Sequence, residues 1–262
     1  MKSGEGKRYE DKKYADYLIN QEFSKKKVVE LRARFNRPIK PREVIKFDER
    51  KHPFVLSQIP FADLFLSDIK PPREGQRFIE EFETYKKRIA ELINGKNFFD
   101  LGCGGNDLLI EDLAEVLAQY GANEYVGVDI CPRKEMYDKV ERPDGKAMEL
   151  YVLREEMLNF VRSIPDNYGG NVLLCGIQED TQDGYNSDLV KKYVSSVISE
   201  LYRIMNIGDV IMISGPSFET IKGSLISSKN NTVIDESGRV LFVKEEITGG
   251  KGSADSFYYK KV

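Results

Sequence analysis

The stretch from Asn97 to Asn106, NFFDLGCGGN, constrains the fold more than any other part of the chain. Its first half is apolar and suits a buried parallel strand. Gly102, Gly104 and Gly105 follow, and glycine permits positive φ angles and a close approach of a ligand to the backbone. Asn106 and Asp107 are good helix-starting residues. The apolar residues behind them recur at helical spacing: Leu109, Leu113, Val116, Leu117 and Tyr120. The pattern predicts a strand, a glycine turn and a helix.

A second apolar strand is predicted at the distance expected for a βαβ unit. Gly121 ends the helix, and residues 124–130 form an apolar run that contains Asp129 near its end. Because the second strand of such a unit lies beside the first, we expect Asp129 at the carboxyl edge of the sheet, next to the glycine turn. A carboxylate in this position can accept hydrogen bonds from both hydroxyls of a ribose. The two motifs together predict a nucleoside-bearing cofactor.

The spacing of the glycines separates two classes of cofactor. A dinucleotide fingerprint reads Gly-x-Gly-x-x-Gly, but counting from Gly102 the third position is Asp107, whose charge would repel a pyrophosphate. Asp100 precedes the first glycine by two residues, and a carboxylate there suits a ligand that carries an ammonium group. At this point the sequence resembles the class I S-adenosylmethionine-dependent methyltransferases. In that family the acid and glycines of the first motif hold the methionine part of the cofactor, and the acid ending the second strand holds the ribose.

The resemblance also implies cofactor contacts at later strands. Many members of the family have a third glycine where this chain has Asn106, and asparagine tolerates left-handed backbone better than most residues. Residues 148–153 are predicted as the third strand, and the family places an acid and the following backbone N–H there, against the adenine. Glu156 with Met157 fits this role, and Glu155 competes for it. The contacts implied by the resemblance are Asp100, Gly102, Cys103, Gly104, Asn106, Asp129, Ile130, Glu156, Met157 and Gly176.

The fourth predicted strand, residues 171–177, is followed by two acidic residues. Its carboxyl end must lie on the ligand side of a parallel sheet, so substrate chemistry is expected near Glu179 and Asp180. Either carboxylate could remove a proton or orient an amine. Methyl transfer chiefly requires the donor and the acceptor to be held in line, and no metal is needed for that.

The remaining pattern predicts an α/β fold: a Rossmann-like, seven-stranded, mostly parallel sheet with helices on both faces. The polar segment after Asp129 favours a short or irregular second helix. A strongly amphipathic helix runs from Val190 to Met205, and a fifth strand covers residues 210–213. Residues 239–247 and 256–262 have no helix between them and are predicted to pair as an antiparallel hairpin. The methyltransferase sheet likewise contains an inserted antiparallel strand near its end.

The chain divides at residue 72 in this interpretation. Residues 1–71 form a mainly helical N-terminal extension, and residues 72–262 form the S-adenosylmethionine-binding domain. Residues 25–51 hold 11 bases against 4 acids, a charge that suits an anionic or nucleic-acid acceptor or, alternatively, a solvated helix face on an acidic domain. Residues 38–71 are a candidate lid or substrate-recognition segment over the cofactor cleft or, alternatively, a structural flap on the back of the sheet. Its aromatic residues would line the acceptor site: Phe47, Phe54, Phe61 and Phe65.

The function predicted from the sequence is methyl transfer from S-adenosylmethionine to an unidentified acceptor, a small molecule or a nucleic acid. Two alternatives stay open: a non-catalytic cofactor-binding module and an NAD-dependent oxidoreductase. No apolar run approaches the roughly 20 residues that span a bilayer, so no membrane partner is expected. Three cysteines, Cys103, Cys131 and Cys175, show neither metal-ligand nor paired-disulfide spacing, which favours the cytoplasm.

Overall fold

The structure is a computed structural model that describes residues 20–41, 87–104, 107–130, 134–174, 187–214, 226–227, 232–235, 237–244 and 256–262. The helices are α1 (20–34), α2 (87–93), α3 (Asp107–Gln119), α4 (Met157–Ser163) and α5 (Ser187–Ile204). The first strands are β1 (Asn97–Leu101), β2 (Glu124–Asp129), β3 (Met136–Glu141), β4 (Ala147–Arg154) and β5 (Asn171–Leu174). The others are β6 (Val210–Ser214), β7 (Ile226–Ser227), β8 (Thr232–Ile234), β9 (Val240–Lys244) and β10 (Ser256–Lys261).

All the described strands join one sheet in the order β3-β4-β2-β1-β5-β6-β10-β9-β8-β7. Five neighbouring strands in this order are parallel to one another: β4, β2, β1, β5 and β6. Strand β10 lies between β6 and β9 and is antiparallel to both. The carboxyl ends of β1 and β2 therefore meet at one edge of the sheet, in the middle of its parallel part. The predicted mostly parallel sheet and its terminal antiparallel hairpin are confirmed, although the described sheet has ten strands rather than seven.

Helices cover both faces of the sheet because alternate residues of each strand point to opposite faces. On one face α2 and α3 pack on apolar residues that include Phe98 and Tyr125. On the other face α1, α4 and α5 pack on residues that include Phe99 and Val126. Among the described residues no helix combines the length and apolar character needed to cross a membrane.

The segment after β2 differs from the expected short or irregular helix. There β3 pairs antiparallel with β4, and a tight hairpin connects them. Arg142 N–H donates to the Lys146 carbonyl, and Gly145 between them has a φ of 76°. The cause is the Pro-Asp-Gly sequence before Lys146, which favours a turn strongly enough to bring two strands together.

The described part of the N-terminal region is packed into the core. Val28, Leu31 and Phe35 are buried in the same apolar cluster as Phe99 on β1. The ring of Phe35 also makes an edge contact with Phe160 of α4, with centroids 5.5 Å apart. Residues 20–41 therefore contribute to the sheet domain's own core, whereas the proposed boundary at residues 71 and 72 lies outside the described residues.

Candidate functional site

The glycine turn after β1 is tied to β2 by its own backbone. Gly102 N–H and Cys103 N–H both donate to the Val128 carbonyl, at 2.8 and 3.3 Å. Gly104 N–H donates to the carboxylate of Asp129, with N and Oδ2 3.0 Å apart. Gly102 and Gly104 have φ angles of 87° and 77°, a left-handed conformation that glycine adopts without strain. These three N–H groups are therefore engaged within the protein and are unlike the open amide cradle of a phosphate site.

A glycine inside β2 makes room for the turn. A Cβ atom added at Gly127 would lie 3.0 Å from Cys103 Sγ and 3.2 Å from Cε1 of Tyr125. Cys103 is 2% exposed, so its thiol packs over the strand at this point. The sequence interpretation did not single out Gly127, although an isolated glycine within a strand pattern often signals a close approach of this kind.

Asp100 has an unusual environment for a carboxylate. Its side chain is buried at the end of β1, 2% exposed, opposite Gly127 on β2. Oδ2 accepts a 2.6 Å hydrogen bond from the Tyr125 hydroxyl, whereas Oδ1 has no partner among the described residues. The pKa of Asp100 is raised to about 7, chiefly by burial; the hydrogen bond from the Tyr125 hydroxyl lowers it, and the nearby charge of Asp129 contributes to the increase. A buried acceptor without a donor is costly in a folded protein and indicates a place for a ligand's donor group.

Asp129 ends β2 beside the turn, as the sequence predicted. It is partly exposed, and its register partner on β4 is Arg154. Ile130 follows it at the same sheet edge. The backbone also connects this edge to the third parallel strand, because Glu155 N–H donates to the Asp129 carbonyl at 3.0 Å. The carboxyl ends of β1, β2 and β4 therefore lie side by side at this edge of the sheet, as expected.

The two glutamates proposed for the adenine differ in their surroundings. Glu156 is buried and caps α4, where Oε2 accepts from Asn159 N–H at 2.9 Å and Oε1 accepts from the Tyr193 hydroxyl. Burial raises the pKa of Glu156. Glu155 is more exposed and pairs with Arg32 of α1 at 3.0 Å. Glu156 therefore has a structural role already, and the assignment of either acid to the adenine stays a prediction.

Several predicted site residues lie outside the described residues: Asn106, Gly176, Glu179 and Asp180. Met157 is the first residue of α4. The structure thus brings together Asp100, the glycine turn and Asp129, with the start of α4 adjoining them. The roles proposed for Glu179 and Asp180 stay predictions.

A cavity of about 270 Å³ lies next to this edge, between the end of α1 and α4. It is lined in part by Phe35, Leu153, Glu155 and Phe160. The sequence interpretation missed it because its walls come from segments more than 100 residues apart along the chain. Only the apolar face of α1 indicated that this helix had to pack on another element.

The basic residues of the N-terminal region face acids of the sheet domain in the described structure. Three arginines form ion pairs: Arg32 with Glu135 and Glu155, Arg34 with Glu124, and Arg37 with Asp166. These pairs neutralise part of the positive charge of residues 25–51, which the sequence analysis considered for binding an anionic acceptor. Residues 42–51 lie outside the described residues, and nucleic-acid binding by residues 25–51 stays a prediction.

No protein-family model matches the sequence, and no curated protein is significantly similar to it. Solved structures do resemble the fold. A SAM-dependent methyltransferase from Archaeoglobus fulgidus is 20% identical, with a TM-score of 0.31, over 56% of this chain and 59% of that one. An N-methyltransferase, NodS, from Bradyrhizobium japonicum is 11% identical, with a TM-score of 0.37, over 71% of this chain and 97% of its own.

A third solved structure is the 1,6-didemethyltoxoflavin-N1-methyltransferase of Burkholderia thailandensis, which contains its substrate and S-adenosylhomocysteine. It is 11% identical, with a TM-score of 0.35, over 77% of this chain and 87% of that one. Sequence identities and TM-scores this low do not indicate which residues of this chain are functional or what its substrate is. The sheet itself carries the fold assignment: five parallel strands followed by an inserted antiparallel strand form a class I methyltransferase fold.

Proposed function

We propose that this chain is an S-adenosylmethionine-dependent methyltransferase whose cofactor binds at the carboxyl edge of β1 and β2. The observation that carries the proposal is the pair of acids around the glycine turn. Asp100 keeps one buried oxygen without a donor among the described residues, and Asp129 lies across the turn from it. Such a pair favours a ligand that brings donors of its own, an ammonium group and hydroxyls.

The same geometry argues against a dinucleotide at this turn. A pyrophosphate needs free backbone N–H groups and an absence of negative charge. Here the N–H groups of Gly102, Cys103 and Gly104 donate to β2, and two carboxylates flank them. An NAD-dependent oxidoreductase is therefore disfavoured on electrostatic and hydrogen-bonding grounds.

The residues present fit the proposed cofactor. Asp100 Oδ1 would accept from the ammonium group of the methionine part, and Asp129 would accept from the ribose hydroxyls. Gly104 would leave the backbone bare where the ligand approaches, and Ile130 and Met157 would offer apolar surface to the adenine. When bound, S-adenosylmethionine supplies an electrophilic methyl group that a nucleophile in line with its sulfur can displace.

The protein itself contributes to the reaction by positioning the acceptor and the methyl donor. Holding an acceptor atom in line and near contact accounts for much of the rate enhancement open to such an enzyme. Glu179 and Asp180 follow β5 and are proposed to accept the acceptor's proton or to orient it. The segment of residues 38–71 is proposed to exclude water from the sheet edge; residues 42–71 lie outside the described residues.

Calorimetry with S-adenosylmethionine, S-adenosylhomocysteine and NAD in parallel tests the proposal. We expect the two sulfur nucleosides to bind and NAD not to bind. The same titration of Asp129→Ala should show weaker binding of the sulfur nucleosides. Glu115→Ala, which removes an exposed acid from α3, is its matched control and should leave affinity unchanged. Tight binding of NAD alone would overturn the proposal, and cofactor binding without methyl transfer to any acceptor would favour the non-catalytic module.

A further inference from the structure

Tyr125 connects the second strand to the acid of the first motif. Its side chain is fully buried on β2, opposite Phe98 of β1. From there its hydroxyl reaches along β1 to Asp100 and donates a 2.6 Å hydrogen bond to Oδ2. This bond holds the carboxylate in one orientation, so the other oxygen is left for a different donor.

Among the described residues, few groups near Asp100 could stabilise its charge. In the described elements packed against it, the titratable groups are the Tyr125 hydroxyl, the Asp129 carboxylate and the Cys103 thiol, which lies over the register partner Gly127. None of these is a cation. The apolar side chains of α3 cover the same face of the sheet and supply no polar partner. A carboxylate in these surroundings tends to keep its proton.

We infer that Tyr125 is a positioning residue for the cofactor, whose hydroxyl stabilises the ionised form of Asp100 and thereby couples cofactor binding to the release of a proton. The inference rests on the proposed function. In the free protein Asp100 is a neutral acid part of the time, because burial raises its pKa to about 7. An incoming ammonium group requires the negative form, so Asp100 transfers its proton to solvent as the cofactor binds. Loss of the hydroxyl should leave Asp100 protonated over a wider pH range.

The test is the pH dependence of S-adenosylhomocysteine affinity in Tyr125→Phe and in the parent protein. The ratio of the two dissociation constants at each pH removes the ligand's own titration, which is common to both. If the pKa rises by about one unit, the ratio should be about tenfold at pH 6 and should approach one by pH 9. Tyr151→Phe is the matched control, since it removes another tyrosine hydroxyl that donates to a carboxylate, the partly buried one of Tyr151 to Glu149, on a strand next to β2.

A ratio that stays constant with pH would mean that Tyr125 is merely structural, and a ratio of one throughout would mean that its hydroxyl has no role. Either result overturns the inference. Tyr151→Phe should give a ratio of one at every pH.

A second measurement needs only the parent protein. Calorimetric titration with S-adenosylhomocysteine at pH 6, in two buffers with different ionisation enthalpies, should show release of roughly one proton per ligand bound, falling toward zero at alkaline pH. Binding without proton release at pH 6 would overturn the inference and leave the proposed function intact. Absence of binding at every pH would overturn both.

Discussion

The amide of Gly104 and the carboxylate of Asp129 are joined by a hydrogen bond of 3.0 Å, so the glycine turn and the acid at the end of β2 form one unit. Because of this bond, Asp129 fixes the conformation of the turn in addition to its proposed role with the ribose. Two other N–H groups of the turn donate to the Val128 carbonyl, so the whole turn follows the position of β2. Substitutions on β2 should therefore affect the site as strongly as substitutions in the turn.

Replacements of Asp129 can separate these two roles. Asp129→Asn keeps an oxygen that can accept from Gly104 N–H but replaces the other acceptor by a donor. Asp129→Ala removes both. We expect S-adenosylhomocysteine affinity to fall about 10-fold in the Asn variant and up to about 150-fold in the Ala variant, which corresponds to roughly 1.5 to 3 kcal/mol. Calorimetry measures both, and unchanged affinity in a folded Ala variant would rule out the ribose assignment.

Gly127→Ala should displace the glycine turn although it changes no residue of the turn. The added methyl group would lie 3.0 Å from Cys103 Sγ, which is too close for ordinary packing. We expect a loss of about 1 to 3 kcal/mol in the free energy of unfolding and weaker S-adenosylhomocysteine binding. The double variant Gly127→Ala/Cys103→Ala removes the sulfur and should bind more tightly than Gly127→Ala alone. If the second substitution restores nothing, the contact between Gly127 and Cys103 does not position the turn.

Asp100→Asn should stabilise the free protein at alkaline pH although it removes a proposed binding group. The pKa of Asp100 is raised from 3.8 to about 7 in the folded protein, chiefly by burial. The folded state therefore keeps a proton that the unfolded chain has lost, and its stability falls as pH rises toward 7. Asparagine does not titrate, so the free energy of unfolding of the variant does not fall in this way. Relative to the parent, it should increase by roughly 2 to 3 kcal/mol between pH 5 and pH 8. Urea unfolding at the two pH values measures it, and parallel pH profiles would contradict it.

Phe35→Ala tests whether the region around α1 belongs to the core. Phe35 is 5% exposed, and its ring lies against Phe99, Phe160 and Tyr168. We expect the free energy of unfolding to fall by about 3 to 5 kcal/mol, as is usual when a large aromatic side chain is removed from a core. Val29→Ala on α1, which ends just before Phe35, is the control, because Val29 is 65% exposed and its loss should change stability by less than about 0.5 kcal/mol. Equal effects of the two changes in urea unfolding would show that α1 is only loosely attached.

Much of the parallel sheet could be predicted from the sequence because its strands are apolar on both sides. β1, β2, β4 and β6 coincide with apolar runs, and the βαβ spacing was enough to place Asp129 beside the turn. β3 was missed for a physical reason. Its outward residues are charged, so no apolar run marks it, and the Pro-Asp-Gly turn that creates the hairpin was interpreted as part of an irregular segment.

The details of the site depend on strand register and side-chain direction, which one sequence does not reveal. The hydrogen bond from Tyr125 to Asp100 requires β2 to be aligned with β1 so that Gly127 lies opposite the acid. The cavity beside β4 requires Phe35 to meet Phe160, a contact between residues 125 positions apart in the sequence. Local patterns cannot specify such pairs.

The position of β10 has a consequence for how the chain becomes folded during its synthesis. β10 follows β7, β8 and β9 in the chain, yet it lies between β6 and β9 in the sheet. Among the described strands, only β10 connects the β7-β8-β9 ribbon to the parallel strands, so until residues 256–261 have left the ribosome that pairing cannot form and one edge of β6 stays unpaired with β10. An exposed strand edge readily pairs with other chains, so we expect a raised risk of aggregation at this stage of synthesis. Insertion of β10 closes both open edges in a single step.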